Sequence, residues 1–538
     1  MENLIESDLK VKNLDHLGLV AGMIDYLGLV ETIDRLIPID RKVSVGIAVK
    51  ALILNSMGFG QRALYITPAF FERCPVGLLL GSDYVASDFN DDSLSRCLDL
   101  LYEYGLSKLF TQLSHAACLR MGLKREYWHV DSTNFSVEGA YPDEDGAVLL
   151  RHGYAKDKRF DLKQVTLGLI TTYQSAIPCY MQTFDGNASD KDTLVTMIKE
   201  FISRFEQGAD VGIMVSDAGV YSANNIAIEL KGVDWITRVP ETIGEAKELV
   251  KCSKDADFQS FTEFLGYKYR AVWSTYGGVK QRWFVIESEP LRAQKKHVVG
   301  ALYVKQEAAV KAALAKYSKK WVRNPEELAA FIALLQKKNP LVMIQYTLKE
   351  QIYYCKAGHP KEENKRIEQQ IATFELSPNT KAIEELITEK SRFILATSVL
   401  DMQRLSDEQV LTAYKAQATS VENGFKFLKD PLFFAESFFV KKPKRLEALL
   451  MIMSLSLLVY SLCEHKLHTA LEQGKEEIID QTGKKKKKPT IRMVFNLFRG
   501  IHIVTINQQP KQLCINLNEN HKNIIKMLGK DFSKYYFF

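Results

Sequence analysis

The sequence predicts an α/β protein built around a mixed β-sheet, with a helical region before the sheet and an α+β insertion within it. Three observations support this prediction. Residues 1–122 place apolar side chains at helical spacing, residues 123–239 contain strands followed by alternating helices and strands, and residues 240–390 interrupt that order before a last strand returns.

The composition is that of an ordinary globular protein. Of 538 residues, 46% are hydrophobic and 25% are charged, which excludes disordered, collagen-like and coiled-coil chains. Lys and Arg number 71 and Asp and Glu number 65, so the net charge is 71 − 65 = +6. This charge permits a polyanionic partner without requiring one.

The cysteines and the first residues indicate a reducing compartment. The 8 cysteines are scattered without a C-x-x-C pair, so the sequence indicates neither a zinc knuckle nor a redox motif. The first ten residues, MENLIESDLK, contain acids and no apolar run. We therefore expect no signal peptide and a cytoplasmic protein.

Residues 1–122 are predicted to form a helical domain. Val45, Val49, Leu52 and Ile53 recur at the spacing of one helix face. Two interpretations remain open for this domain: a bundle that packs on the rest of the protein, or a module that binds DNA ends.

Residues 123–239 are predicted to form the first part of the sheet domain. The expected strands lie at 127–131, 165–173, 177–184, 211–215 and 235–239, and the expected helices at 191–205 and 223–230. Three strands in succession, followed by helix, strand, helix and strand, is the order of an RNase H-like mixed sheet.

Residues 240–390 are predicted to form an inserted, β-rich α+β subdomain. Its expected strands are 267–274, 282–287, 341–348 and 351–355, and its expected helical stretches are 306–338 and 361–390. Residues 391–470 then return as the second part of the sheet domain, and residues 471–538 form a basic C-terminal region.

An apolar stretch at residues 448–463 is too short to cross a bilayer. It contains 16 residues, against the roughly 20 that a spanning helix needs, and it includes three serines. We therefore predict a helix buried inside the protein and no membrane partner.

Two aspartates follow predicted apolar strands. Asp131 comes directly after the strand 127–130, and Asp217 comes after the strand 211–215 and one serine. Because a buried unpaired carboxylate is costly, such residues usually have a cation as partner. A third acid on a following helix would complete an oxygen-rich site for Mg²⁺, and two ions about 4 Å apart support phosphodiester chemistry. The other interpretation is that each aspartate forms a turn or caps a helix.

Four segments resemble the DDE transposases of bacterial insertion sequences. They are 131–133 (DST), 186–190 (GNASD), 216–219 (SDAG) and 422–429 (ENGFKFLK). The branch that the chain resembles carries a β-rich insertion between the second Asp and the Glu. That insertion accounts for a separation of 422 − 217 = 205 residues, against 217 − 131 = 86 between the two aspartates.

The resemblance implies that Asp131, Asp217 and Glu422 are the catalytic residues and ligands of two Mg²⁺ ions, for which Mn²⁺ can substitute. The sheet domain, 123–239 with 391–470, would then be the catalytic domain. Glu436 and Glu447 are competing third acids, but neither has a lysine at the family spacing.

The branch has a signature, Tyr-x2-Arg-x3-Glu-x6-Lys, that implies DNA contacts. Glu422 and Lys429 match its second half, and Lys426, one helical turn after Glu422, is a further candidate contact. Tyr414 and Gln417 keep the internal spacing of the first half but stand one residue too early, with Gln in place of Arg. Either the helix starts after Gln417, or this phosphate-binding half is altered.

The implied activity is metal-dependent cleavage at transposon ends, followed by transfer of the 3′-OH to target DNA. The implied partners are transposon-end DNA, target DNA and a second copy of the chain in a synaptic complex, in a prokaryotic cytoplasm at the nucleoid. Two alternatives stay open: a catalytically inactive DNA-binding remnant, and an RNase H-like nuclease that cuts without strand transfer.

Overall fold

The structure is a computed structural model that describes residues 9–58, 64–123, 126–153, 159–173, 176–205, 211–317, 322, 324–354, 366–431, 440–506 and 511–538. Its strands are β1 (Leu9–Asn13), β2 (Tyr127–Val137), β3 (Lys163–Thr172), β4 (Pro178–Phe184), β5 (Ile213–Ser216), β6 (Asp234–Val239), β7 (Gln259–Ser260), β8 (Tyr267–Tyr276), β9 (Val279–Ser288), β10 (Val342–Tyr354), β11 (Arg366–Pro378), β12 (Arg392–Thr397), β13 (Ile478–Ile479), β14 (Lys485–Lys486), β15 (His502–Ile506) and β16 (Lys511–Ile515).

The helices complete the element order. They are α1 (Leu17–Leu27), α2 (Leu29–Leu36), α3 (Val45–Met57), α4 (Thr67–Glu72), α5 (Val76–Leu79), α6 (Asp91–Tyr104), α7 (Leu106–Arg120), α8 (Asp190–Ile202), α9 (Gly244–Cys252), α10 (Glu289–Leu314), α11 (Pro325–Lys338), α12 (Thr380–Ser391), α13 (Asp407–Lys415), α14 (Val421–Leu428), α15 (Pro443–Gly474), α16 (Ile491–Leu497), α17 (Glu519–Leu528) and α18 (Lys530–Ser533). A short 3-10 helix at Ala416–Thr419 separates α13 from α14, and the helix expected at 223–230 is a π-helical turn, Asn225–Glu229.

The chain divides into two compact units. Unit 1 contains 1–237, 275–280 and 397–538, and unit 2 contains 238–274 and 281–396. Unit 1 thus holds the predicted helical N-terminal and basic C-terminal regions together with most of the sheet domain. The division at residues 122, 239, 390 and 470 stays a prediction.

The sheet of unit 1 has the strand order β4–β3–β2–β5–β6. β3 is antiparallel to both β2 and β4, whereas β5 is parallel to β2 and β6 is parallel to β5. Strand β3, between β2 and β4, is rich in β-branched residues and buried along almost its whole length, as a strand covered on both faces requires. This mixed topology confirms the predicted RNase H-like fold class.

The long helix α15 forms the centre of the helical part of unit 1. It is long and apolar enough to cross a membrane by length and composition, but 89% of its most apolar 18-residue stretch is buried inside the protein. Ser454 and Ser456 are buried, and each hydroxyl donates to a carbonyl one turn earlier in the same helix, at 2.9 Å. Burial with satisfied hydroxyls identifies α15 as a core helix, as the sequence predicts.

The two ends of the described chain fold together, which the sequence does not predict. β1 pairs antiparallel with β15, and β15 pairs with β16. On α1, Gly18 and Gly22 lie one turn apart, and a Cβ on either would come within 2.9 Å of ring atoms of Tyr536 or Phe532. The absence of side chains at these two positions lets the C-terminal aromatic residues pack directly on α1.

A partly buried ion-pair cluster joins the same regions. Asp25 on α1 accepts from the ammonium groups of Lys50 and Lys534, each at 2.7 Å, and from the hydroxyl of Tyr535. Lys50 is only 5% exposed, so its charge depends on this carboxylate for compensation.

Unit 2 is an α+β unit whose sheet has the strand order β12–β9–β8–β7. Beside it, β10 and β11 form a 13-residue antiparallel hairpin, against which α11 packs through Leu328 and Ile332. The sequence prediction was wrong here in two respects. Residues 342–348 and 351–354, expected in two separate strands, belong to the single strand β10, and the stretch 361–390, expected to be helical, contains β11 before helix α12 begins.

Candidate functional site

Asp131 and Asp217 lie side by side at one edge of the paired region of β2 and β5. The two strands run parallel, and their paired register ends with Val130 beside Ser216. The next residue on each strand is the aspartate, and neighbouring strands are about 5 Å apart. The prediction that the strand ends at Asp131 was wrong, because β2 continues to Val137 and Asp131 pairs with Leu169 of β3.

The surroundings of the two carboxylates differ. Asp131 is partly buried, and its Oδ1 accepts from the backbone N–H of Ser132 at 2.7 Å. Asp217 is exposed, and its Oδ1 accepts from the hydroxyl of Tyr414 at 3.3 Å. Its backbone carbonyl also accepts from the Thr237 hydroxyl at 2.8 Å, which ties the residue to β6.

Two contacts at opposite ends of α14 place this helix along β2. Ser420, directly before the helix, contacts the His129 ring at 2.6 Å, and the ammonium group of Lys429, directly after it, lies 5.4 Å from the centre of the Phe135 ring. Side chains two residues apart on a strand share a face, so His129 and Phe135 are on the same face as Asp131. Glu422, the second residue of α14, therefore lies on the segment that crosses this face of β2.

His129 is fully buried between the strand and the α13–α14 segment. Its Nε2 donates to the carbonyl of Ala413 at 2.8 Å, and its Nδ1 accepts from the Ser420 hydroxyl at 2.6 Å. Burial lowers the pKa of His129 to about 4, although the Ala413 carbonyl opposes this shift. The ring is therefore neutral at pH 7, with its hydrogen on Nε2.

The helix carrying Glu422 starts after Gln417, which was one of the two alternatives predicted. Tyr414 lies in α13, Gln417 in the 3-10 helix and Glu422 in α14. The one-residue offset of the signature therefore falls across a break in the helix. The offset therefore does not turn Tyr414 away from the two aspartates, whereas the same offset within a continuous helix would turn its side chain to another face.

The four candidate DNA contacts have different exposures. Lys426 and Lys429 are exposed, and the ammonium group of Lys426 donates to the Asn423 side chain at 3.4 Å. Gln417 is only 4% exposed, and its side-chain amide has no hydrogen-bond partner within the part of the chain that the structure describes. A DNA contact by Gln417 would require this segment to move, whereas Tyr414 already bonds to Asp217.

Of the two competing third acids, the structure describes Glu447, and its contacts lie away from the two aspartates. Glu447 is buried on α15, where it accepts from the Val148 N–H at 3.0 Å and from the Thr183 hydroxyl. Burial raises the pKa of Glu447 despite these two hydrogen bonds. These contacts make Glu447 an anchor for the loop before β3. Glu436 lies outside the described residues.

Two protein-family models match this chain. A family model described as "Transposase DDE domain" matches residues 128–459, and one described as "Domain of unknown function (DUF4277)" matches residues 9–115. The chain belongs to the DDE transposase family. The resemblance drawn from the sequence is thereby confirmed.

One solved structure, described as "Cryo-EM structure of piggyBac transposase synaptic complex with hairpin DNA", has 10% sequence identity and a TM-score of 0.39, and the match covers 95% of this chain and 85% of that chain. A search of curated proteins gave no match.

DDE transposases generally use divalent metal ions, and the residues at this edge of the sheet fit such ions in type. Asp131 and Asp217 supply carboxylate oxygens, the donors that Mg²⁺ prefers, and Mg²⁺ takes one or two protein carboxylates while keeping several waters. Among the described residues, no group of three or more His, Cys, Asp or Glu side chains is placed to hold a metal ion. The two aspartates thus share one edge, without a three-carboxylate cluster around them.

Sequence reasoning missed two features of this site. The hydrogen bonds of His129 to the α13–α14 segment and the hydrogen bond from Tyr414 to Asp217 were not predicted. The alternation of β2 does put His129 on the face of Asp131. Its partners Ala413 and Ser420, however, lie 284 and 291 residues away in sequence, and no local pattern signals them.

Proposed function

We propose that this DDE transposase cleaves DNA at transposon ends and transfers the resulting 3′-OH to target DNA, with Asp131, Asp217 and Glu422 as its catalytic acids. The observation that carries the proposal is the parallel register of β2 and β5, which puts the two aspartates beside each other on a face crossed by α14.

Each residue of the candidate site would have its own role in DNA cleavage. Asp131 and Asp217 present carboxylate oxygens from rigid strands, and the Tyr414 hydroxyl holds the exposed Asp217 by a hydrogen bond. Asp131 and Asp217 would hold the divalent ions, which when bound supply polarisation of the attacking and leaving oxygens of the phosphodiester. Glu422 forms no three-acid group with them among the described residues, so it would join them only through a shift of α14. The exposed ammonium groups of Lys426 and Lys429 would contact DNA phosphates, whose charge they complement.

The chemistry proceeds in two displacements at phosphorus. In the first, water attacks the phosphodiester at the transposon end, the P–O3′ bond breaks, and the 3′ oxygen leaves as a hydroxyl after protonation. In the second, that hydroxyl attacks a target phosphodiester, loses its proton and displaces a target 3′ oxygen. Joining two ends to one target implies two copies of the chain on DNA.

The test uses the full chain and DNA carrying the inverted repeats found in the genomic sequence that flanks its gene. Cleavage and strand-transfer products are measured with supercoiled target DNA and Mg²⁺ or Mn²⁺. We expect Asp131→Asn, Asp217→Asn and Glu422→Gln each to lower cleavage by at least about 1,000-fold, because residues that act as a unit are each indispensable. Glu519→Gln is the control, since Glu519 is an exposed acid at the start of α17.

Cleavage that survives Asp131→Asn would remove the proposed role of this residue. End binding by the unmodified chain without any cleavage would identify an inactive DNA-binding remnant. Cleavage without strand-transfer product would identify a nuclease that does not join DNA.

A further inference from the structure

The relative position of Tyr414 and Glu422 is not set by helix geometry. The two residues belong to different helices, and the 3-10 helix Ala416–Thr419 between them interrupts the α-helical hydrogen bonding. Contacts from outside the segment therefore contribute to the relative position of its two halves.

Both halves contact one buried side chain on β2. The His129 ring donates through Nε2 to Ala413, the residue before Tyr414, and accepts through Nδ1 from Ser420, two residues before Glu422. Each ring nitrogen therefore holds one side of the break. The strand that carries His129 is itself fixed, because His129 pairs with Thr171 of β3 and with Val215 of β5.

Ser420 contacts His129 and does not cap the start of α14. A serine directly before a helix usually accepts from a backbone N–H of the first turn, but the Ser420 side chain makes no such capping bond to α14. Its hydroxyl lies 2.6 Å from Nδ1 of His129 and, at a longer 3.4 Å, from the Gln417 carbonyl, and the residue is only 1% exposed. The start of α14 is thus attached to β2 rather than capped locally.

We propose that His129 and Ser420 form a buried hydrogen-bonded clamp, the His129–Ser420 clamp, that positions Tyr414 and Glu422 over Asp131 and Asp217. His129 and Ser420 are positioning residues, because neither would touch the DNA. The inference rests on the proposed function for its catalytic consequence, whereas the clamp's effect on the α13–α14 segment does not depend on activity.

The test compares Ser420→Ala with a matched control and a conservative variant. Ser454→Ala is the control, since Ser454 is equally buried and its hydroxyl bonds only within its own helix α15. Ser420→Thr keeps the hydroxyl. Amide hydrogen exchange, the cleavage rate at saturating DNA and the affinity for end DNA are measured for all three variants.

We expect Ser420→Ala to speed hydrogen exchange at residues 416–422 and to leave exchange in β2 and α15 unchanged. We expect its cleavage rate at saturating DNA to fall between about 10- and 100-fold with unchanged DNA affinity, because small displacements of catalytic groups have effects of this size. Ser420→Thr should restore most of the rate, and Ser454→Ala should change neither measurement.

Exchange at 416–422 that does not respond to Ser420→Ala would overturn the clamp, whether or not the protein cleaves DNA. A cleavage rate that falls no further in Ser420→Ala than in Ser454→Ala would overturn its positioning role. If the unmodified chain does not cleave at all, the proposed function fails, while hydrogen exchange still decides whether the clamp holds the segment.

Discussion

Gly186, in the GNASD segment before α8, cannot carry a side chain. A Cβ at this position would lie 1.9 Å from the carbonyl oxygen of Gln164 and 2.6 Å from that of Arg151. Both obstacles are backbone atoms, and Gln164 and Arg151 are held together by paired backbone hydrogen bonds. Even a tight contact of 3.0 Å would require a shift of 3.0 − 1.9 = 1.1 Å.

The cost of Gly186→Ala follows from what this shift would break. Overpacking a close-packed interior costs about 1–3 kcal/mol. The shift would also disturb the bond from the Gly186 N–H to Leu149, at 3.0 Å, and the bond from the Gln164 side chain to the Gly186 carbonyl, at 2.7 Å. Each such bond contributes about 1 kcal/mol, so we expect Gly186→Ala to lower the free energy of unfolding by roughly 3–5 kcal/mol.

Gly168→Ala is the matched control, because it is also a buried glycine of the same sheet domain. A Cβ at Gly168 would lie 2.0 Å from Sδ of Met197, which is the end of a flexible side chain. Since a methionine side chain adapts to irregular space, we expect Gly168→Ala to lower the free energy of unfolding by only about 1 kcal/mol. Urea unfolding followed by far-UV circular dichroism measures both variants. Equal unfolding midpoints for the two would refute the reasoning that backbone obstacles cost more than flexible ones.

Two further predictions concern Tyr414 and Asp25. Tyr414→Phe removes the 3.3 Å hydrogen bond to the exposed carboxylate of Asp217. We expect the activation free energy of cleavage to rise by about 1 kcal/mol, so that the cleavage rate falls roughly fivefold while the free energy of unfolding stays unchanged. An unchanged cleavage rate would contradict a role for this bond. For Asp25, burial by itself raises the pKa, but Lys50, Lys534 and the Tyr535 hydroxyl outweigh it and hold the pKa below 3.8. Its contribution to stability is therefore present above about pH 4 and is lost as the pH falls through its lowered folded-state pKa. Asp25→Asn should weaken the protein at pH 7 and flatten the decline in urea midpoint below pH 4, and a variant that keeps the full acid sensitivity would contradict this assignment.

The order of elements in the sheet domain could be read from the sequence because each element carries its own pattern. Buried strands such as β3 are rich in β-branched residues, and α15 contains a long apolar run. These patterns lie in consecutive residues, so they can be recognised without knowing which elements pack against each other. β11 was misread as helix although Ala372, Phe374 and Leu376 alternate with polar residues, which is the period of a half-buried strand.

The candidate site could be predicted only in part. Asp131 and Asp217 were found because a carboxylate after an apolar strand is unusual in itself. The sequence placed Asp131 at a strand end, whereas the structure shows that only the pairing with β5 ends there. The break in the helix before Glu422 was one of two alternatives, and the sequence contained no means of choosing between them.

The sequence by itself determined the fold class, the family and the identity of the candidate acids, because strand order, burial pattern and short motifs are written in neighbouring residues. Only the tertiary structure decided that β1 pairs with β15, that Tyr414 bonds to Asp217 and that His129 holds both sides of a helix break. These contacts join residues hundreds of positions apart, and a hydrogen bond depends on ångström-scale geometry that no sequence spacing encodes.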